Sequence, residues 1–239
     1  MLHKTKGIVL KTTRYSETSV ITKVYTEKFG LQTYIVNGVR SSRSKGKYAL
    51  FQHGNLLDMV VYHKETGNMF HISEVRMDTV YNHIPFDTVK GALLLFCVEL
   101  LLKTIKEEET NTHLFHFLYH AFNFLDETTD PVANYHLLFL LQLSKYAGFY
   151  PDTTRGAYFN LDEGVFSDVR VPQNNYLNRE CADAMRVLLK AEFQSAAQIA
   201  ITHALRKELL HGLLLYFKLH IDHFGEMYSP AILEEVFRK

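Results

Sequence analysis

Hydrophobic and polar positions alternate with a period near two through the first 80 residues, and the period lengthens to about 3.6 after Pro85. In the first stretch, Lys6 to Thr13, Val20 to Thr26 and Leu31 to Asn37 are rich in β-branched and aromatic residues, and Lys28-Phe29-Gly30 marks a turn. Asn55 to His63 and Met69 to Met77 follow, joined across Glu65-Thr66-Gly67-Asn68, a sequence suited to a hairpin turn. Side chains alternate across a strand, so Leu57, Met59 and Val61 share one face, with Leu56, Asp58 and Val60 on the other. Likewise Val20, Thr22 and Val24 can face a core, leaving Ile21, Lys23 and Tyr25 outward, where a lysine beside an aromatic ring suits contact with backbone and bases together. Five short strands in about 75 residues predict a small closed barrel of the oligonucleotide-binding (OB) type; an SH3-like barrel gives a similar pattern.

The helical stretch begins with Phe86 to Ile105 and continues, after an acidic break at Glu107, Glu108, Glu109 and Thr110, from about Asn111 to Leu125. Asp130-Pro131 fits an N-cap and first helical position, opening a helix that ends near Gly148. A fourth helix begins near Leu177 to Arg179 and ends around Lys190. The longest, Thr202 to Phe224, carries Leu205, Leu209, Leu213, Phe217 and Ile221 at every fourth position, and Ser229-Pro230 opens a short last one. Between Pro151 and Pro172 the helical period disappears, and Ala157 to Leu161 and Val165 to Asp168 read as a small hairpin around Asp162-Glu163-Gly164. The fold class is therefore α+β: a five-stranded barrel over 1–80, then an all-α domain over 81–239 with an irregular insert at about 151–175.

Composition narrows the function classes. With 47% hydrophobic residues and only 5 Pro, the chain is a packed globular protein rather than a disordered one. No secretory or transit signal is visible, and the strongest apolar stretch, Ala92 to Leu102, is interrupted by Glu99 and too short to span a bilayer, so a soluble intracellular protein is expected. Cys97 and Cys181 are the only cysteines, which argues against a disulfide framework. Net charge is zero, yet residues 1–50 hold ten basic side chains against two acidic ones. That imbalance makes a local field able to attract phosphates.

The densest cationic segment is Arg40-Ser41-Ser42-Arg43-Ser44-Lys45-Gly46-Lys47-Tyr48, in the loop after the third strand. It can wrap a phosphate backbone, with Tyr34, Tyr48 and Phe51 available to stack on unpaired bases, or it can be a solvated loop beside core aromatics. Lys6, Lys11, Arg14 and Lys23 offer a second path along the barrel face. His113, His116 and His120 share a helix face and raise a metal-dependent hydrolase, but no His-Glu-x-x-His signature accompanies them. Walker-type, Gly-x-Gly-x-x-Gly and Gly-x-Ser-x-Gly motifs are absent, so no residue demands a catalytic role. An RNA-binding OB-fold module with a helical protein-interaction domain would use the same cations and rings.

Four segments in the first 45 residues resemble the N-terminal domain of the RecO family in order and spacing: Lys6-Gly7-Ile8-Val9-Leu10-Lys11, Arg14-Tyr15-Ser16-Glu17-Thr18-Ser19, Tyr25-Thr26-Glu27-Lys28-Phe29-Gly30, and Asn37-Gly38-Val39-Arg40 with Ser44-Lys45. Tyr146-Ala147-Gly148-Phe149-Tyr150-Pro151-Asp152 is similar to the turn that precedes that family's insert. Many members carry a four-cysteine zinc site there, whereas this chain has Thr153-Thr154-Arg155-Gly156 and a hairpin without Cys, so no cofactor is expected and packing of Tyr158, Phe159 and Phe166 must replace the metal. The resemblance implies a non-enzymatic bacterial protein of DNA repair and recombination, cytoplasmic and nucleoid-associated. It further implies binding of single- and double-stranded DNA, annealing of complementary strands, and help in loading RecA onto single strands coated with SSB, with RecR and the SSB C-terminal tail as protein partners.

Overall fold

The computed structural model describes residues 1–39, 46–64, 67–106, 109–152, 155–170 and 175–238. The expected turn residues Glu65 and Thr66, the acidic Glu107 and Glu108, and Thr153 and Thr154 lie outside the described residues. The chain divides into two compact units, Met1–Glu127 and Thr128–Lys239.

In the first unit, β1 (Leu2–Arg14), β2 (Val20–Thr26), β3 (Gly30–Val36), β4 (Leu56–Tyr62) and β5 (Phe70–Thr79) close a barrel in the order β1-β2-β3-β5-β4. Its β3–β5 seam is parallel (Tyr34 opposite Phe70), and every other pairing is antiparallel. This is the OB topology, which decides between the two barrels the alternation left open. The long β1 closes it by pairing with β4 through its first half and β2 through its second. Gly7 permits the crossing, because a Cβ there would meet Met59 Cε and Val24 Cγ1 at 2.5 Å. Val20, Val24, Leu57, Met59 and Val61 fill the interior, as the alternation predicts, together with Val9 of β1. A one-turn 3-10 helix, Lys47–Phe51, closes one end by burying Phe51 in the same core.

Tyr34 and Phe51 are therefore core residues, and the expectation that either stacks on bases is corrected. Tyr34 has no exposed surface and its hydroxyl finds no hydrogen-bond partner among the described residues; burial pushes the phenol well above its usual range. Tyr25 also departs from expectation. It is buried at 1% exposure, its ring 6.3 Å from Phe115 of α2 (Thr112–Glu127), so a helix covers that end of the outward face.

The unit's other helix, α1 (Thr88–Thr104), starts where the Asp87 carboxylate accepts from Val89 N and Lys90 N, and nine of its seventeen residues are buried. Asp126, at the end of α2, accepts backbone N–H groups of Asn82, His83 and Ile84 at 2.8–2.9 Å, fixing the connection from barrel to helices. These three bonds hold its carboxyl below the usual range against the effect of burial.

The second unit comprises α3 (Tyr135–Tyr146), α4 (Arg179–Leu188), α5 (Phe193–Ala196), α6 (His203–His220) and α7 (Ser229–Val236), with β6 (Tyr158–Asn160), β7 (Val165–Ser167) and β8 (Tyr176–Leu177) as the insert. α3 starts four residues after the predicted Pro131. Asn134 is the reason: its side-chain amide donates to the Ala196 and Ile199 carbonyls while its Oδ1 accepts from Arg206, so the chain turns there before the helix begins. The predicted hairpin is present and gains a third strand, β8, on β6. Phe159 and Phe166 are buried, with Phe159 5.4 Å from the Tyr216 ring and the Tyr216 hydroxyl donating to the Phe149 carbonyl. Tyr158 instead stays partly exposed beneath the Arg170 guanidinium, 4.9 Å from its ring.

Two outcomes follow from the cores. Tyr34→Phe removes a buried hydroxyl without partner and keeps the shape, so its unfolding free energy should rise by about 1 kcal/mol in urea titrations; a fall of that size would show the hydroxyl is bonded. His136, buried on α3, has its imidazole pushed down to about 3, first by burial and then by the Arg206 charge. The folded state then binds fewer protons than the unfolded state below the ordinary histidine value of 6.5, so stability is full above that pH and falls as pH drops toward 3. Between pH 7 and 5 this amounts to about 2 kcal/mol. His136→Gln should flatten the slope by that amount; an unchanged slope would show that His136 does not carry it.

Candidate nucleic-acid interface

Pairing register decides what the barrel presents outward. Along β1 the register shifts between Val9 and Lys11, a bulge that accommodates Leu10 and sets Lys11 opposite Lys23 of β2. Lys23 in turn stands opposite Thr33 of β3. The next outward row runs Thr13, Ile21, Ile35 and His71 across four strands. The row on the other side, Ile8, Tyr25 and Leu31, includes the two buried positions Ile8 and Tyr25. What stays open is a patch of two lysines, two threonines, two half-buried isoleucines and the exposed His71.

Ion pairing sorts the predicted cations. Lys6 donates to Asp78 Oδ2 at 2.8 Å, its ammonium lies 4.8 Å from the centre of the Tyr119 ring, and the Asp78 bond holds its pKa above the usual lysine value. Of the predicted path, Lys6 is thus already ion-paired. Lys4 and Arg76 both face Asp58 Oδ2, at 3.5 and 2.6 Å, and the Arg76 hydrogen bonds hold that carboxyl below its usual range. Lys11, Arg14, Lys23 and Lys47 are exposed and form no ion pair among the described residues. Like charges set directly opposite on adjacent strands destabilise a sheet, so the Lys11–Lys23 pair costs stability unless an anion lies over it. Arg40, Arg43 and Lys45 lie outside the described residues.

Two aromatic rings stand by these cations. Tyr48, on the 3-10 helix, is 42% exposed. Tyr15, in the β1–β2 turn directly after Arg14, is 61% exposed; the turn is held by Tyr15 N–Ser19 O at 3.1 Å and by the Ser19 hydroxyl donating to Asn37 Oδ1. The strand and face reading did not single out Tyr15. Its signal is a lone aromatic among polar residues between two strands.

The segment around Tyr48 is firmly held. The Asn55 amide donates to the Ala49 and Leu50 carbonyls at 2.8 and 3.0 Å, the Thr12 hydroxyl to the Phe51 carbonyl at 2.8 Å, and Gly54 N to the Val9 carbonyl at 2.7 Å. Gly54 takes a positive φ of 82°, and a Cβ there would collide with Leu94 of α1. Gln52 and His53 project between these anchors. Partial burial and then the Lys11 charge hold the His53 imidazole below its usual range, so it is neutral at pH 7, one nitrogen a donor and the other an acceptor.

His113, His116 and His120 are all exposed, His116 3.5 Å from Glu27, and no group of three or more His, Cys, Asp or Glu among the described residues could hold a metal ion. Cys97 and Cys181 are buried and burial raises both thiols. No helix among the described residues is long and apolar enough to cross a membrane.

Comparison with known proteins identifies the family. The family models for the N-terminal and C-terminal parts of recombination protein O match residues 1–80 and 85–226. The chain is 37% identical to the DNA repair protein RecO of Christiangramia forsetii over 242 residues, covering 99% of this chain and 100% of that one. It is 35% identical to the DNA repair protein RecO of Flavobacterium psychrophilum over 237 residues, 98% of each chain, and 33% identical to that of Bacteroides fragilis over 242 residues, 99% and 100%. A barrel of OB topology, followed along the chain by a helical unit with a three-stranded insert, is thus matched along nearly its whole length, and the chain belongs to the RecO family of DNA repair proteins.

Proposed function

We propose that this chain is a non-enzymatic, cytoplasmic recombination mediator that binds single- and double-stranded DNA on the open face of its barrel and anneals complementary strands. With RecR it assists loading of RecA onto single strands coated with SSB, whose acidic tail docks on the helical unit. The observation that carries the DNA-binding reading is the Lys11–Lys23 pair, two exposed cations held opposite each other that form no ion pair among the described residues. A phosphate lying over the pair would relieve their repulsion, and Arg14 and Lys47 extend the positive charge toward Tyr15 and Tyr48. Annealing requires no bond to be made. It requires a strand held by its backbone with base edges left free, which lysine contacts supply.

Cations that act on phosphates leave a thermodynamic trace. Changing Lys11 and Lys23 together to Ser should weaken single-strand binding and reduce the log–log salt slope by about 1.4 units, about 0.7 per lost contact. Thermal stability should hold or rise slightly, since a like-charge pair is removed. An unchanged slope would move the DNA path to the segment holding Arg40, Arg43 and Lys45. Preference for an RNA oligomer over DNA of the same sequence would favour the RNA-binding alternative.

The insert is proposed to fold without zinc. Phe159, Phe166, Leu161 and Leu177 are buried there, the Arg186 guanidinium lies 4.4 Å from the Phe166 ring, and His220 Nε2 is 2.9 Å from the Leu161 carbonyl. Elemental analysis should find no stoichiometric zinc, and a strong chelator should leave the thermal midpoint unchanged. One zinc per chain, or a lowered midpoint, would show that metal ligation takes part in holding the insert.

A further inference from the structure

Between the 3-10 helix and α1, with Thr12 of β1 in its wall, lies a cleft of about 440 Å³ also lined by Tyr48, Gln52, His53, Leu94 and Leu95 among others. Its volume falls in the range of small-molecule sites, roughly 300–1,000 Å³. One wall is apolar: Leu95 is 38% exposed on a helix whose other leucines are mostly buried. The opposite wall is aromatic and polar, with the exposed Tyr48 ring and the side chains of Gln52 and His53, which make no hydrogen bond among the described residues. Gly91 adds no side chain to the α1 wall, although a Cβ there would meet nothing closer than the Ile84 carbonyl at 3.6 Å.

We propose that this cleft takes one unpaired base of a bound single strand, stacked against Tyr48, with Gln52 and His53 bonding to its edge and Lys11 holding the adjoining phosphate. The inference rests on the DNA-binding reading above and goes beyond it, from a backbone-binding face to a built base site. The occupant follows from the cleft's chemistry. A base is flat and apolar on its faces and offers donors and acceptors at its rim, and an amide with a neutral imidazole can meet either. Lys11, next to Thr12 of the lining and close enough for its charge to act on His53, favours an anionic chain as the source of that ring. The walls are set in advance, because Asn55, Thr12 and Gly54 tie the segment carrying Tyr48, Gln52 and His53 to β1 and α1, so little order is lost on binding.

The test separates base from phosphate contacts. Affinities of the full chain for a dT oligomer and for an abasic oligomer of equal length would be measured by fluorescence anisotropy at one salt concentration. Tyr48→Ala would be compared with wild type after circular dichroism has confirmed equal folding. Wild type should bind the dT oligomer at least fivefold more tightly than the abasic one, in line with one stacked base. Tyr48→Ala should lose most of that ratio while keeping wild-type affinity for the abasic strand. Equal affinity of wild type for both oligomers, or a ratio untouched by Tyr48→Ala, would overturn the base site and leave backbone binding standing. Failure to bind either oligomer would overturn the DNA-binding reading itself.

Discussion

The register of β1 is the constraint on which the rest of the barrel depends. One strand of thirteen residues pairs with β4 along its first half and with β2 along its second, and the barrel closes only because it does both. Gly7 lets it pass close to Met59 and Val24, and the bulge at Leu10 re-phases the strand by one residue. Without that extra residue the alternation would set Leu10 opposite Lys23 and send every later β1 side chain to the other face. Thr12 would no longer reach the Thr22 hydroxyl and the Phe51 carbonyl, and the 3-10 helix would lose its tie to the barrel. The outward lysine pair and the position of Tyr48 are thus consequences of one irregularity in one strand.

Charge compensation then determines which of the many cations face solvent unopposed. Asp58 and Asp78 lie on β4 and β5 and bind Lys4, Lys6 and Arg76 there, while the open face made by β1 to β3 carries no acid opposite Lys11 or Lys23. Lys6 and Lys11 belong to the same strand and differ only in what stands across from them. Position along the sequence could not separate the two, since Asp78 is 72 residues from Lys6. This also explains why zero net charge is compatible with a strongly directional field.

The barrel was legible because its strands are half-buried and their alternation is regular: β2 has the bounds the sequence predicts, and the interior residues of β2 and β4 are those the period of two selects. The aromatics were not legible. Tyr25 sits on the outward face as predicted, but a helix more than eighty residues later covers it, and Tyr34 points into a barrel interior that a polar hydroxyl gave reason to avoid. The helix start at Asn134 was missed for a similar reason. Asp130-Pro131 is a sound local signal, and it was overridden by bonds from Asn134 to residues more than sixty positions away. Of the proposed interface, the cations of β1 and β2 came from the sequence, whereas Gln52, His53 and the α1 wall required the fold to bring them together.

Strand annealing places opposite demands on a DNA-binding surface, which must gather strands and then let a duplex form and leave. Lysines on a sheet meet the first demand without reading bases, and threonines and half-buried isoleucines can lie against sugars without engaging pairing edges. Few contacts also mean easy release, because each phosphate contact adds a salt-sensitive increment and a face with two to four of them holds a strand only moderately. A ring such as Tyr15 or Tyr48 adds affinity only where a base is unstacked. Pairing withdraws bases from such rings while leaving the phosphate contacts in place. On the proposed function, the surface would then favour the single strand over the duplex by the stacking it loses, and the annealed product would be the species more readily released.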